Sequence, residues 1–294
     1  LGVAVGFVTT FFVLTRFLTA EEIGLARVLV DAATLFIGLA QLGTSSSIIR
    51  FYPHFKAKGE RQEARGGDTD HGFFFWTLIV PLVGFALFTA IYCACHEPLS
   101  HWFGEKSPLF VEYYYMVLPM AFFMLYQTVF ETNANVRMHI VVPRAVRELI
   151  TRIGLLLAYL LYAFRVVDID GFVVALCGVY AVAMCCNMVY LFSLGEVSLR
   201  PDWEFLRQNR PLVRQYLLYT GFLLVSAVAS VLAPTLSSFF ITAEMGLNYT
   251  GIFAIATYIA VMVSIPYRSM TAIASPQLAT AIKENNQRET AHLM

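Results

Sequence analysis

Apolar residues fall along this chain in eight long runs, near 1–18, 25–49, 72–95, 109–132, 141–164, 170–194, 215–241 and 248–275, separated by shorter polar stretches. A helix needs about 20 mostly apolar residues to cross a bilayer core, whereas a membrane strand needs about half that and alternates in polarity. The runs have the helical length and do not alternate, so the pattern predicts an all-α integral membrane protein, a polytopic bundle of about eight spans.

Composition agrees: 58% of residues are hydrophobic, 14% are charged and the mean hydropathy is +0.66, well outside soluble usage. Formal net charge is zero, which gives no footprint for nucleic acid. The five cysteines, Cys93, Cys95, Cys177, Cys185 and Cys186, lie in or beside apolar runs and show no redox or metal spacing, and the six histidines are scattered. Neither a metal nor a cofactor is expected. Leu1 lies inside an apolar run and Met294 in a polar stretch, so both ends are expected to be cuts in a longer chain.

Charge is distributed unevenly between the connections. Arg50, Lys56, Lys58, Arg61 and Arg65 follow the second run, Arg137, Arg144 and Arg147 the fourth, and Arg200, Arg207, Arg210 and Arg214 the sixth; Lys283 and Arg288 follow the eighth. The odd-numbered connections carry only Arg16 and Arg27 at their flanks, Lys106 and Arg165. The excess of basic residues marks the even connections as cytoplasmic, with the amino end inside. Trp76, Trp102, Trp203 and Tyr113 to Tyr115 fall where interfacial anchors belong.

A short element is written twice. TAEEIGLARV, Thr19 to Val28, is echoed by TAEMGLNYTG, Thr242 to Gly251, each between two apolar runs. The expectation is that each copy closes an outward-going helix, turns at Gly24 or Gly246, and starts an inward-going one. Six spans separate the copies, so both enter the membrane in the same sense, the parallel-repeat arrangement of some transporters. The division that follows is an amino-terminal six-helix lobe over 1–200, a cytoplasmic linker with an interfacial helix over 201–214, and the first two helices of a second lobe over 215–294.

FLTAEEIGLARV, followed by AQLGTSSSIIRFYPHF, resembles the amino-terminal signature of the polysaccharide-biosynthesis flippases, in the superfamily that also holds multidrug and lipid II exporters. TGIFAIATYIAVMVSIPYRSM with SPQLATA is similar to the region of the seventh and eighth helices of that family. The resemblance implies two six-helix lobes around a central cavity. It also implies alternating-access movement of an undecaprenyl-diphosphate-linked oligosaccharide across the bacterial inner membrane, with no enzymatic chemistry.

Polar residues inside the runs are the candidates for that cavity. Arg27, Asp31, Thr34, Gly38, Gln41 and Ser45 recur at helical steps and share one face, and Thr250, Thr257, Ser264, Arg268, Thr271 and Ser275 form a counterpart. Polar faces within spans look at protein or water, not lipid. In PRAVRELITR, Arg144, Arg147, Glu148, Thr151 and Arg152 share a face, with Glu148 able to pair with Arg144 and Arg152. Guanidinium forks suit a diphosphate, so Arg27, Asp31, Gln41, Arg144, Arg147, Glu148, Arg152 and Arg268 are the substrate-binding candidates.

Plainer roles compete with each of these. Arg27 and Asp31 can neutralise one another, Arg268 can anchor a helix end, and the arginines of the fifth run can serve topology alone. Glu112, Glu131, Gln127, Asn133 and Asn135 can bind a coupling proton or sodium ion, or sugar hydroxyls, or simply cap helix ends. A multidrug or other small-molecule exporter is the alternative within transport, disfavoured by the basic excess. A membrane-embedded glycosyltransferase would need a sizeable acidic external loop, and the longest connections, 50–71 and 195–214, are short and basic.

Overall fold

The computed structural model describes residues 6, 9–52, 72–195, 197 and 210–263. Among them every regular element is helical. The main helices are α1 (Ala20–Ala40), α2 (Phe73–Ala94), α3 (His96–Gly104), α4 (Val117–Val136), α5 (Thr151–Ala163), α6 (Ile169–Ser193), α7 (Arg210–Glu244) and α8 (Leu247–Val263). Two compact units divide the chain, residues 1–251 and residues 252–294. Of the second unit the described part is the continuation of α8, in which Thr257 donates to the carbonyl of Phe253 at 2.8 Å.

By length and apolarity, α1, α2 and α6 can each cross a bilayer. Burial separates their roles: 67% of the apolar window of α1 lies inside the protein against 22% for α2, whose Leu82, Val83, Leu87 and Ile91 are exposed. A helix apolar all round and open on one side in a membrane chain faces lipid there. The centre of the first unit is α4, which packs against α6, α1 and α2, while α5 packs on α6 and α7 on α1. One apolar core joins Phe74, Tyr126, Phe130, Ala134 and Leu191; a second joins Ile48, Phe51, Tyr52 and Phe73.

Several predicted runs differ in detail. The second begins at Ala20, because Thr19 accepts from the Glu22 N–H while Glu22 accepts from the Thr19 N–H, a complete capping box. It is interrupted over 41–43, where Leu42 and Gly43 adopt positive φ, and resumes over 44–52. The stripe from Arg27 to Gly38 therefore belongs to one helix with Gln41 as its C-cap, whereas Ser45 lies beyond the break and reaches back to Gln41 Oε1 at 3.2 Å. The fourth run opens with a short turn, Pro108–Glu112, and a 3-10 turn, Tyr114–Met116, before α4 carries on to Val136. The proposed linker lies mostly outside the described residues, and its last part, from Arg210, already belongs to α7.

The repeated TAE element is corrected by the structure. The second copy closes α7 and turns at Gly246, whose φ of +97° only glycine adopts readily, before α8 begins. In the first copy the chain turns at Leu18 and Thr19, both extended, and Gly24 lies inside α1. The two copies are thus out of phase: what repeats in space is the helix start, Ala20 with Leu247.

Candidate functional site

Two ends of the first unit carry different chemistry. At one, the end of α3 meets the end of α7: Ser107 Oγ donates to the Thr242 carbonyl at 2.6 Å, and Trp102 Nε1 donates to Glu244 at 3.4 Å. At the same end Tyr162 donates to Glu22 and Tyr113 to Asp170. At the opposite, arginine-rich end, the chain reverses after α4 through Met138, which has positive φ, into Val141–Ala145 and a π-helical turn, Val146–Ile150, that leads into α5.

That reversal builds a polar ladder. Gln127 Nε2 reaches Thr151 Oγ1 at 3.5 Å, Arg147 reaches Glu131 at 3.4 Å, and one turn further Asn135 and Arg144 line the same cavity. The first two pairs sit at equal sequence distances on either side of His139, as residues of two antiparallel helices must to meet. The cavity, about 590 Å³, is lined by Glu131, Asn135, Ile140, Arg144, Arg147 and Glu148.

The π turn shapes it. One wide turn offsets Val146–Ile150 from the regular face of α5, and Thr151 satisfies the widened backbone by donating to the Val146 carbonyl at 3.4 Å. Glu148 pairs with Arg152 at 3.0 Å. Among the described residues Arg144 makes no ion pair, so the expected Glu148–Arg144 contact does not form. The cavity lining holds two guanidinium groups, those of Arg144 and Arg147, and two carboxylates, those of Glu131 and Glu148, and Arg152 outside the lining takes up the charge of Glu148. Arg147 and Glu148 are solvent-open, whereas Glu131 is 12% exposed, so the acid is the fixed partner and the arginine the movable one.

The other candidates lie apart from this cavity. Arg27 Nε and Asp31 Oδ2 are 2.8 Å apart within α1, and Asp31 is buried, so the intrahelical pairing is made. Thr34 donates to the Val30 carbonyl at 2.7 Å, which satisfies its hydroxyl within the helix. Gln41 caps the end of α1. Arg268, with Ser264, Thr271 and Ser275, lies outside the described residues.

Two groups gain weight that sequence patterns withheld. Glu131 and Asn135, read as candidates for caps or cation ligands, join the arginine cluster; the equal spacing of Glu131 and Arg147 about His139 was the available signal. Arg137, read as a loop residue of topological value, is buried at 6% exposure. Its guanidinium donates to the Asn133 carbonyl and Oδ1 at 3.0 and 3.2 Å and lies over the rings of Tyr52 and Phe74. Asn133 in turn donates to Thr77 Oγ1 at 3.1 Å, so this arginine closes a buried polar chain between α2 and α4.

No curated protein sequence matches this chain. Its fold is similar to a solved structure described as the inward-facing conformation of a multidrug resistance MATE family transporter of the MOP superfamily, with a TM-score of 0.67 and 18% identity. The similarity covers 99% of this chain and 65% of that one, so the chain spans about two thirds of its length. At that identity the likeness establishes the fold, an all-α polytopic membrane architecture. A family model matches residues 2–279, nearly the whole sequence, and the chain belongs to the polysaccharide biosynthesis protein family.

Proposed function

We propose that the protein moves a lipid-linked oligosaccharide of the polyprenyl diphosphate type across a bacterial inner membrane by alternating access, and that the arginine-rich cavity receives the diphosphate. The observation that carries this is the cavity's lining: Arg144, which makes no ion pair among the described residues, and Arg147, whose side chain is 62% exposed, both present guanidinium groups to it. A diphosphate is a polyanion, and planar guanidinium forks bind its oxygens two at a time. Glu131 and Glu148 hold the arginines in place until the substrate offers better acceptors, an exchange that moves no net charge into bare hydrocarbon. In this reading the arginine-rich end is cytoplasmic, following the basic excess there. Arg27, Asp31 and Gln41 line the path along α1, and a proton or sodium ion drives the cycle.

The test is complementation of a bacterial strain lacking a known flippase, with surface polysaccharide and membrane abundance measured together. Arg147→Ala and Arg144→Ala are expected to lose export at normal abundance, and the lysine variants to recover it in part because lysine lacks the planar fork. Full export by the alanine variants at normal abundance overturns the reading. Reporter fusions at Lys58 and Glu105 test the orientation, which fails if both report the same side.

A further inference from the structure

A second cavity lies away from the polar stripe of α1. It has a volume of about 290 Å³ and is lined almost wholly by apolar atoms of Phe36 and Leu39 on α1, Tyr92 on α2, Trp102 on α3, Tyr114, and Phe240 on α7. At about 100° per residue, the residues of α1 that face it are centred about 130° around the helix from Arg27, Asp31 and Thr34. A substrate path along the polar stripe and this crevice are therefore on different sides of α1.

The crevice is continuous with the lipid-facing surface. Its rim residues Trp102, Leu236 and Phe240 are 42%, 42% and 53% exposed, and on α2 the neighbours of Tyr92, Ile91 and Leu87, are exposed too. An apolar hollow at a bilayer-facing surface has no water to fill it and no polar group to hold water. Left empty, its lining would forgo dispersion contacts on one side. A flexible methylene chain is the filler that the surroundings supply, and the aromatic walls, with Tyr92 and Tyr114 stacked at 4.1 Å, give it flat surfaces to lie between.

We propose that this crevice binds one acyl chain of a bilayer phospholipid. The chain wedges the seam where α7 packs on α1, so the lipid forms part of the contact between them.

The experiment uses the full-length protein in phosphatidylcholine vesicles carrying a phosphatidylcholine with a photoactivatable diazirine at the end of one acyl chain, followed by mass-spectrometric mapping. Labelling is expected at Leu99, Trp102 and Phe240 well above that at Val174 and Val189, exposed residues of α6. Ala32→Phe fills the crevice and is expected to lower labelling there about tenfold, a change of the size that losing a few methylene contacts produces, with the α6 positions unchanged. Leu236→Trp blocks the same space from the exposed rim and is expected to read the same loss without altering the core. Crevice labelling no higher than on α6, or undiminished in both variants, overturns the proposal. So does labelling displaced by added polyprenyl diphosphate but not by excess unlabelled phosphatidylcholine.

Discussion

Gly24 and Gly251 face one another's helix starts reciprocally: a Cβ on Gly24 would collide with the carbonyl oxygen of Leu247, and a Cβ on Gly251 with that of Ala20. Each glycine lies four residues after the residue whose carbonyl its counterpart meets, so the first turns of α1 and α8 cross about a local two-fold. Close crossings of this kind rest on small residues that let backbones touch. A backbone carbonyl inside a helix cannot swing aside. Gly24→Ala and Gly251→Ala are each expected to destabilise the protein by about 1–3 kcal/mol, the usual penalty of overpacking. Thermal unfolding in detergent measures both, and the two-fold requires effects of similar size; a shift confined to one of them refutes the equivalence.

The helices were legible because a bilayer imposes length and apolarity on each span, and α2 and α6 match their runs to within one residue at either end. The turn of the first repeat was not, because a short echo of identical letters outweighed the capping signal Thr19-x-x-Glu22, which alone says where a helix begins. The clustering of Arg144, Arg147 and Glu148 was visible as one helix face. Their meeting with Glu131 depends on where the chain reverses, and a face pattern within one run cannot reveal its partner across a turn. Likewise nothing in the run of basic residues distinguishes the buried Arg137 from its exposed neighbours.

Arg137 offers a sharp contrast between charge and shape. Its guanidinium lies 4.9 Å from the centre of the Tyr52 ring while donating twice to Asn133. A lysine keeps the charge but loses the flat face and the fork. Arg137→Lys is therefore expected to lower stability by about 1–3 kcal/mol, the cost of leaving buried polar groups poorly paired. Unfolding transitions of the purified variant check this, and a lysine variant as stable as the parent means that the stacking is incidental.

Hydroxyls tie the end of α7 to the segment after α3 and to the start of α8. Ser107, fully buried, donates to the Thr242 carbonyl, and Thr242 Oγ1 meets Thr250 Oγ1 at 2.8 Å. Thr242→Val keeps the shape and removes the hydroxyl that also bonds the Ser238 carbonyl at 2.7 Å. Buried partners left unmet cost about 1–3 kcal/mol each, so Ser107→Ala and Thr242→Val should each lower the melting temperature. Ser107 uses the backbone carbonyl of Thr242, which valine keeps, whereas Thr242 Oγ1 bonds within α7 and to α8, so the two losses should add to within about 0.5 kcal/mol in a double-mutant cycle; a larger coupling would show that the two contacts form one unit.

The pair Arg147–Glu131 separates binding from architecture. Its arginine is 62% exposed and the separation is 3.4 Å, so the pair contributes little to stability, about 0–1 kcal/mol by comparison with other exposed pairs. Glu131→Gln keeps the size of the partly buried partner, frees Arg147 and raises the charge of the cavity by one. If the cavity receives a diphosphate, that variant should leave the melting temperature nearly unchanged and bind a polyprenyl diphosphate more tightly, about tenfold for each 1.4 kcal/mol of added attraction. Turnover should fall, because tighter holding slows release, and added salt should reduce the gain. Arg147→Gln should do the opposite to affinity at equally small cost in stability. Binding by both variants indistinguishable from the parent's, with stability also unchanged, would place the substrate's charge elsewhere in the protein.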